Sequence, residues 1–163
     1  MKFYHIKDDY IVYLKNFDAK VEDNKHESRP YVGIVCEIDG VQYYAPFTSP
    51  KPKHLNMKNG KDFRKIKQGQ YGAINFNNMI PVPDSALLLI DIANEPDAQY
   101  RRLLQNQYRE ISADREAIER TAHDLRMLVF SADAALSPHD RVIKQRCCDL
   151  PRLEAVYKDY DVK

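Results

Sequence analysis

The stretch "TSPKPKH", Thr48 to His54, follows directly on the apolar and aromatic run "VQYYAPF". Two hydroxyls, two lysines and a histidine thus stand where a strand bound for the core runs out. Thr48 and Ser49 offer hydroxyls at the rim of a β-core, and Lys51, Lys53 and His54 bring charge to the same place. Such a group suits an RNA phosphate: hydroxyls hydrogen-bond its oxygens, and a rigidly held lysine stabilises the charge that develops when the neighbouring 2′-OH attacks. The bland alternative is a polar loop leaving a strand, stiffened by Pro50 and Pro52, with its lysines solvated.

Lys58, Lys61, Arg64, Lys65 and Lys67 extend the basic character, with Asp62 the only acid among them. Interleaved with Phe63, Ile66 and Tyr71, they match an electrostatic track with stacking groups for single-stranded nucleic acid. They equally match a solvated surface, and spacing alone does not separate the two. The net charge of +1 hides this concentration. The histidines, His5, His26, His54, His123 and His139, are scattered with no pair at i, i+4, and no cysteine or carboxylate cluster has metal-ligand spacing. The glycines are dispersed, so no phosphate-cradling loop is evident. The expectation is chemistry without a metal or cofactor. Cys36 lies in an apolar run and Cys147 and Cys148 are adjacent, which reads as packing rather than a disulfide framework.

The elements that must position these groups are also readable. At 163 residues, 44% hydrophobic and 30% charged, the chain is expected to form one soluble domain, 1–163. No apolar run approaches the roughly 20 residues needed to span a bilayer. The opening "MKFYHIKDDY" lacks a secretory-signal pattern, which makes the cytoplasm the expected location. Lys2 to Ile6 alternates as a strand, and "DDYIVYLKNF" reads as a helix with Asp8 or Asp9 as cap. A polar loop, "AKVEDNKHESRP", follows. "YVGIVCEI" and "VQYYAPF", joined by Asp39-Gly40, predict a hairpin with a type I′ turn. "YGAINF" and "ALLLID" read as further strands, kept apart by Pro81 and Pro83. From Asp97 onward Tyr100, Leu103, Leu104, Tyr108 and Ile111, then Ile118, Ala122, Leu125 and Val129, predict one or two amphipathic helices. Ser137-Pro138 starts another, and "DLPRLEAVYKDY" makes a last short one. Strands first and helices later is the α+β pattern: a compact antiparallel sheet or open barrel with packed helices, mostly C-terminal.

"MKFYHIKDDYIVYLKNFDAKV", "YVGIVCEI" and above all "YYAPFTSPK" resemble the ToxN/AbiQ family, endoribonuclease toxins of type III toxin-antitoxin systems. The similarity continues in order through "GAINFNNMIPV", "LLLIDI", "YRRLLQNQYREI" and "LRMLVF". The resemblance implies an SH3-like open-barrel core like that of the Kid/MazF toxins, wrapped by helices, and sequence-selective RNA cleavage by 2′-OH attack without a metal. It implies a role in bacterial growth inhibition and phage defence, with cellular or phage mRNA as substrate. It implies a partner: a small non-coding RNA antitoxin of tandem repeats, folded as a pseudoknot, which the toxin processes and which holds several toxin copies in a closed, ring-like assembly. The family's catalytic hydroxyls fall on Thr48 and Ser49 and its lysine on Lys51. A basic residue before the "VGIV" strand is matched by Arg29, a guanidinium that binds phosphate but does not transfer protons. Lys53, His54, Lys58, Lys61, Arg64, Lys65 and Lys67 are the expected RNA-binding groups. The family's upstream tyrosine has no clear counterpart; His26 is the nearest candidate. The sequence leaves the identity of the base open, and a non-catalytic RNA-binding module on an SH3-like core is the competing reading.

Overall fold

The computed structural model of the protein describes residues 1–162. Its first half carries strands β1 (Lys2–Ile6), β2 (Tyr31–Ile38), β3 (Val41–Thr48), β4 (Phe63–Lys65), β5 (Ala73–Asn75), β6 (Ile80–Pro81) and β7 (Leu87–Leu89), with helix α1 (Asp8–Lys15) after β1. Four helices follow: α2 (Ala98–Ala113), α3 (Arg115–Phe130), α4 (Pro138–Arg146) and α5 (Leu150–Val156). The strands form an antiparallel open sheet in the order β4-β5-β3-β2-β1-β7, with β6 pairing β3 off this path. This is the mixed α/β arrangement that the strands-then-helices pattern predicts.

Asp39 and Gly40 both have positive φ, 52° and 79°, as the twist-matched type I′ turn between β2 and β3 requires. The hairpin brings Tyr31 opposite Pro46 and Ile38 opposite Val41, with a register irregularity between Gly33 and Cys36. Tyr31, Tyr43 and Tyr44 are buried, as are Phe3, Phe47 and Phe76, and α3 packs across β2. Tyr43 donates its hydroxyl to Glu154 on α5, which also takes two hydrogen bonds from the buried Arg126 on α3, at 2.9 and 3.1 Å. One polar network thereby ties α3, α5 and β3 together.

Two local expectations are corrected. The N-cap position of α1 is Lys7, and neither Asp8 nor Asp9 caps it. Asp8 Oδ1 instead accepts from Asn24 Nδ2 (2.7 Å) and from the Glu27 amide (3.1 Å), and Glu27 accepts from the Asp8 amide (2.9 Å). The cap is thus supplied from the following loop. On α2 the buried positions are Leu104, Gln107 and Ile111, while Tyr108 is part-exposed with its ring edge-on to the buried Phe3. A polar residue occupies that face because its amide nitrogen donates to Tyr71 O (2.9 Å) and Thr48 O (3.4 Å). The Ser137 start signal is realised, its hydroxyl accepting from the Asp140 amide, and α2 is capped by Asp97, which accepts from the amides of Gln99 and Tyr100.

Where β5 begins, Gly72 has φ +98°, and a Cβ there would lie 1.8 Å from Thr48 O. Only a glycine lets the chain pass this close to the end of β3. Gly72→Ala is expected to cost roughly 2–5 kcal/mol, combining left-handed backbone strain with overpacking. Gly60, whose added Cβ meets nothing within 4 Å, should tolerate alanine to within about 0.5 kcal/mol. Urea unfolding of the two variants reads the difference; equal midpoints would show that the Thr48 approach is slack.

Candidate functional site

Strand β3 ends at Thr48, which is paired with Ala73 on β5. Its carbonyl is gripped by Gln107 and crowded by Gly72. Its side-chain hydroxyl is buried and has no hydrogen-bond partner among the described residues. A buried orphaned hydroxyl needs an explanation, and a site that a ligand completes is one. Ser49 and Pro50 are exposed, and Lys51 is extended, with φ −129° and ψ 149°. The short 3-10 turn Pro52–Leu55 then closes on itself: the His54 amide donates to Lys51 O (2.9 Å), and the Lys51 amide donates to His54 Nδ1 (3.1 Å).

His54 is only 3% exposed. Burial, and then the positive charges of Lys53 and Lys51, lower its pKa below the ordinary imidazole value. Its Nδ1 accepts a hydrogen bond, so the proton of the neutral ring sits on Nε2. The expectation that His54 adds charge to this rim is therefore corrected. The ring holds the backbone of Lys51, and the close passage of Gly69 against His54 O seals it from behind.

A second wall comes from far along the chain. Asp62, the one acid of the basic run, is 4% exposed and receives Arg146 Nε at 2.6 Å and Nη2 at 2.8 Å. Together with Thr48, Lys51, Lys53, His54 and Phe63, this pair lines a pocket of about 280 Å³. Arg146 was not foreseen. It lies 84 residues from its partner, and the only hint in the sequence was the isolation of Asp62 among cations.

The remaining predicted residues are placed differently. Lys61 pairs with Asp140 on α4 (2.7 Å), Arg64 with Asp114 at the α2–α3 junction, and Lys67 with Glu110 on α2 (3.6 Å). Acids from the helices thus offset much of the track that looked uncompensated in the linear sequence. Lys53, Lys58 and Lys65 make no ion pair among the described residues. Arg64, Lys65 and Lys67 line a separate pocket of about 470 Å³ with Glu110 and Asp114. Ile66 is core, not a stacking platform, whereas Phe63 and Tyr71 are half-buried. Arg29 lies beside the end of β3, since Pro30 O accepts from the Phe47 amide. Its guanidinium, however, donates to Asp23 O (2.7 Å) and pairs with Glu22 (3.4 Å). His26 is exposed in the run Lys25-His26-Glu27, all at positive φ of 50° to 63°. Arg29, His26 and Ser49 are not among the residues that line the Thr48 pocket, Ser49 standing exposed directly beside Thr48. Cys36, Cys147 and Cys148 are buried free thiols, as expected.

The family model described as toxin ToxN of type III toxin-antitoxin systems matches residues 2–158. The chain is 35% identical over 170 residues to the endoribonuclease ToxN of Pectobacterium atrosepticum, spanning 98% of this chain and 94% of that protein. It is 34% identical over 165 residues to the endoribonuclease ToxN of Bacillus thuringiensis subsp. kurstaki, spanning 98% and 84% respectively. A solved structure described in terms of selective toxin inhibition by a non-coding RNA pseudoknot superposes with a TM-score of 0.88 at 32% identity. That superposition covers 99% of this chain and 98% of the other.

The Lys51–His54 closure carries a pH signature. The folded protein keeps His54 neutral where the unfolded chain is protonated. Its stabilising contribution is therefore full above the ordinary imidazole value of 6.5 and is lost as pH falls through the lower folded value. In His54→Asn the side-chain carbonyl can accept from the Lys51 amide without titrating. Unfolding free energy measured from pH 7.5 to 4.5 should fall less steeply in that variant, the residual slope including His5, whose pKa burial also lowers. Superimposable pH profiles would refute the role of His54.

Proposed function

The chain belongs to the ToxN family of type III toxin-antitoxin toxins, and on that premise we propose that it is an endoribonuclease whose active site is the Thr48–Lys53 pocket. The observation that carries the reading is the convergence of Thr48, Lys51 and Lys53 on one pocket at the clamped end of β3, with the Thr48 hydroxyl unpartnered among the described residues. Thr48 and Ser49 orient a phosphate or the attacking 2′-OH. Lys51, held at its backbone by His54, stabilises the charge on the phosphate in the transition state and passes protons. Arg29 takes a phosphate only on releasing Glu22, so its part is binding.

The donor set argues for chemistry that needs no metal. The pocket offers hydroxyl, amide, ammonium and guanidinium groups, while Asp62 has both oxygens engaged by Arg146 and His54 has Nδ1 engaged by Lys51. Attack by the RNA's own 2′-OH needs only positioning, charge stabilisation and proton transfer. The wider reading follows the relatives. The chain works in the cytoplasm as one domain, on a sheet core of the SH3-like, Kid/MazF kind. Its partner is a pseudoknotted repeat RNA that inhibits it, is processed by it, and joins several copies in a closed assembly. Its targets are cellular or phage mRNAs, and its release stops growth.

Two experiments test this reading. Ser49→Ala and Lys51→Ala should each lower cleavage of an mRNA pool by about 10²- to 10³-fold while leaving the unfolding midpoint unchanged, because both residues are exposed. Full activity of both variants would sink the site assignment, and an intact RNA pool after incubation with the wild type would favour the non-catalytic binder. In the second, products should carry a 2′,3′-cyclic phosphate and a 5′-hydroxyl, cleavage should persist in excess EDTA, and a 2′-deoxy sugar at the cut site should protect the strand. A 5′-phosphate product would overturn the 2′-OH mechanism.

A further inference from the structure

Asp62 is the single acid in a run of cations, and it is buried. A carboxylate in such a place must be paired or neutralised. Arg146, the last residue of α4, supplies the partner through Nε and Nη2. The backbone around the pair is closed: Asn77 donates to Asp62 O (3.2 Å), and Cys148 donates to Asn77 O (2.9 Å). Cys147 and Cys148 are buried directly after Arg146 and anchor that end of the helix. The guanidinium is thus set by its carboxylate and by its own backbone before any ligand arrives. Yet 52% of the side chain is exposed, and its other N–H groups make no hydrogen bond among the described residues.

The pocket these groups reach is the one lined by Thr48, Lys51 and Lys53. We infer that Arg146, clamped by the buried Asp62, is a phosphate-binding residue of this pocket, gripping the backbone of the RNA strand whose neighbouring phosphate lies against Thr48 and Lys51. The inference rests on the RNA-cutting reading above and adds a residue to it. Arginine suits the task because a planar guanidinium can hold a carboxylate with one edge and a phosphate with another, where an ammonium is a single point charge. Pre-orientation also matters. Lys51 and Lys53 are exposed, flexible side chains that must be ordered on binding, whereas Arg146 has given up most of that freedom to Asp62 already. Asp62 acts as a positioning residue through Arg146.

Arg146→Ala alone would orphan a buried carboxylate, so the decisive variant is the double Asp62→Asn/Arg146→Gln, which removes both charges and keeps hydrogen-bonding capacity. Single-turnover cleavage of an mRNA pool should drop about 10²- to 10³-fold, with a near-native urea midpoint. Binding of a non-cleavable 2′-O-methyl RNA oligonucleotide should lose about 0.7 from its log-log salt slope, the signature of one phosphate contact on a single strand. Arg146→Lys keeps the charge near Asp62 and serves if the double variant does not fold. It should retain the slope and lose at least about tenfold in rate, since the two-edged geometry is gone. Wild-type cleavage with an unchanged slope in the double variant, or wild-type cleavage by Arg146→Lys, would overturn the inference, leaving the pair as a strut between α4 and the segment before β4. Failure of the wild type to cut RNA would instead count against the proposed function, and the binding slope would still decide the role of Arg146.

Discussion

Strand β3 must satisfy β2 along the whole of one edge, and β6 and then β5 along the other. That constraint organises the protein. A strand with neighbours on both edges cannot shift register without moving every side chain to the wrong face. Tyr43 and Phe47 on one face and Tyr44 on the other, all buried, are therefore committed once the hairpin has formed. The handover from β6 to β5 leaves Thr48 as the last paired residue, with Gly72 pressed against its carbonyl and Gln107 reaching across from α2. The hydroxyls and lysines that follow begin from a point fixed on three sides.

Buried charge is handled in the same economical manner. Asp62 with Arg146, and Arg126 with Glu154 and Tyr43, each join a helix of the second half to the sheet of the first. Such pairs contribute little net stability compared with apolar replacements, and removing one partner is costly. What they supply here is placement. Each is bidentate, and each fixes the approach of a helix that has no covalent reason to stop where it does.

The legible parts of this fold were those dictated locally. Asp-Gly between two β-rich runs can do little but turn, and helical periodicity marks α2 and α3 whatever they pack against. Strands of two or three residues such as β4 and β6 carry no periodicity of their own and exist because β5 and β3 present edges to them. Gln107 joins the buried face because two carbonyls needed a donor, a demand visible only when strands and helix are together. At the site, Thr48, Lys51, Lys53 and His54 line one pocket while Ser49 does not, and His54 turns inward as a hydrogen-bond acceptor. The arginine beside it is Arg146, not Arg29, whose partners, the Glu22 carboxylate and the Asp23 carbonyl, lie within a few residues of it in the same loop.

The acids that α2 and α4 extend to Lys61, Arg64 and Lys67 have a consequence beyond geometry. Glu110, Asp114 and Asp140 behave as tethered counterions. A polyanion that reaches those cations evicts carboxylates that stay attached and must find new partners in water. Lys53, Lys58 and Lys65, which make no ion pair among the described residues, meet a phosphate with no such carboxylate to displace. The protein thereby carries a built-in competitor along one flank, and a nucleic acid wins that flank only if its own shape returns more than the carboxylates give up.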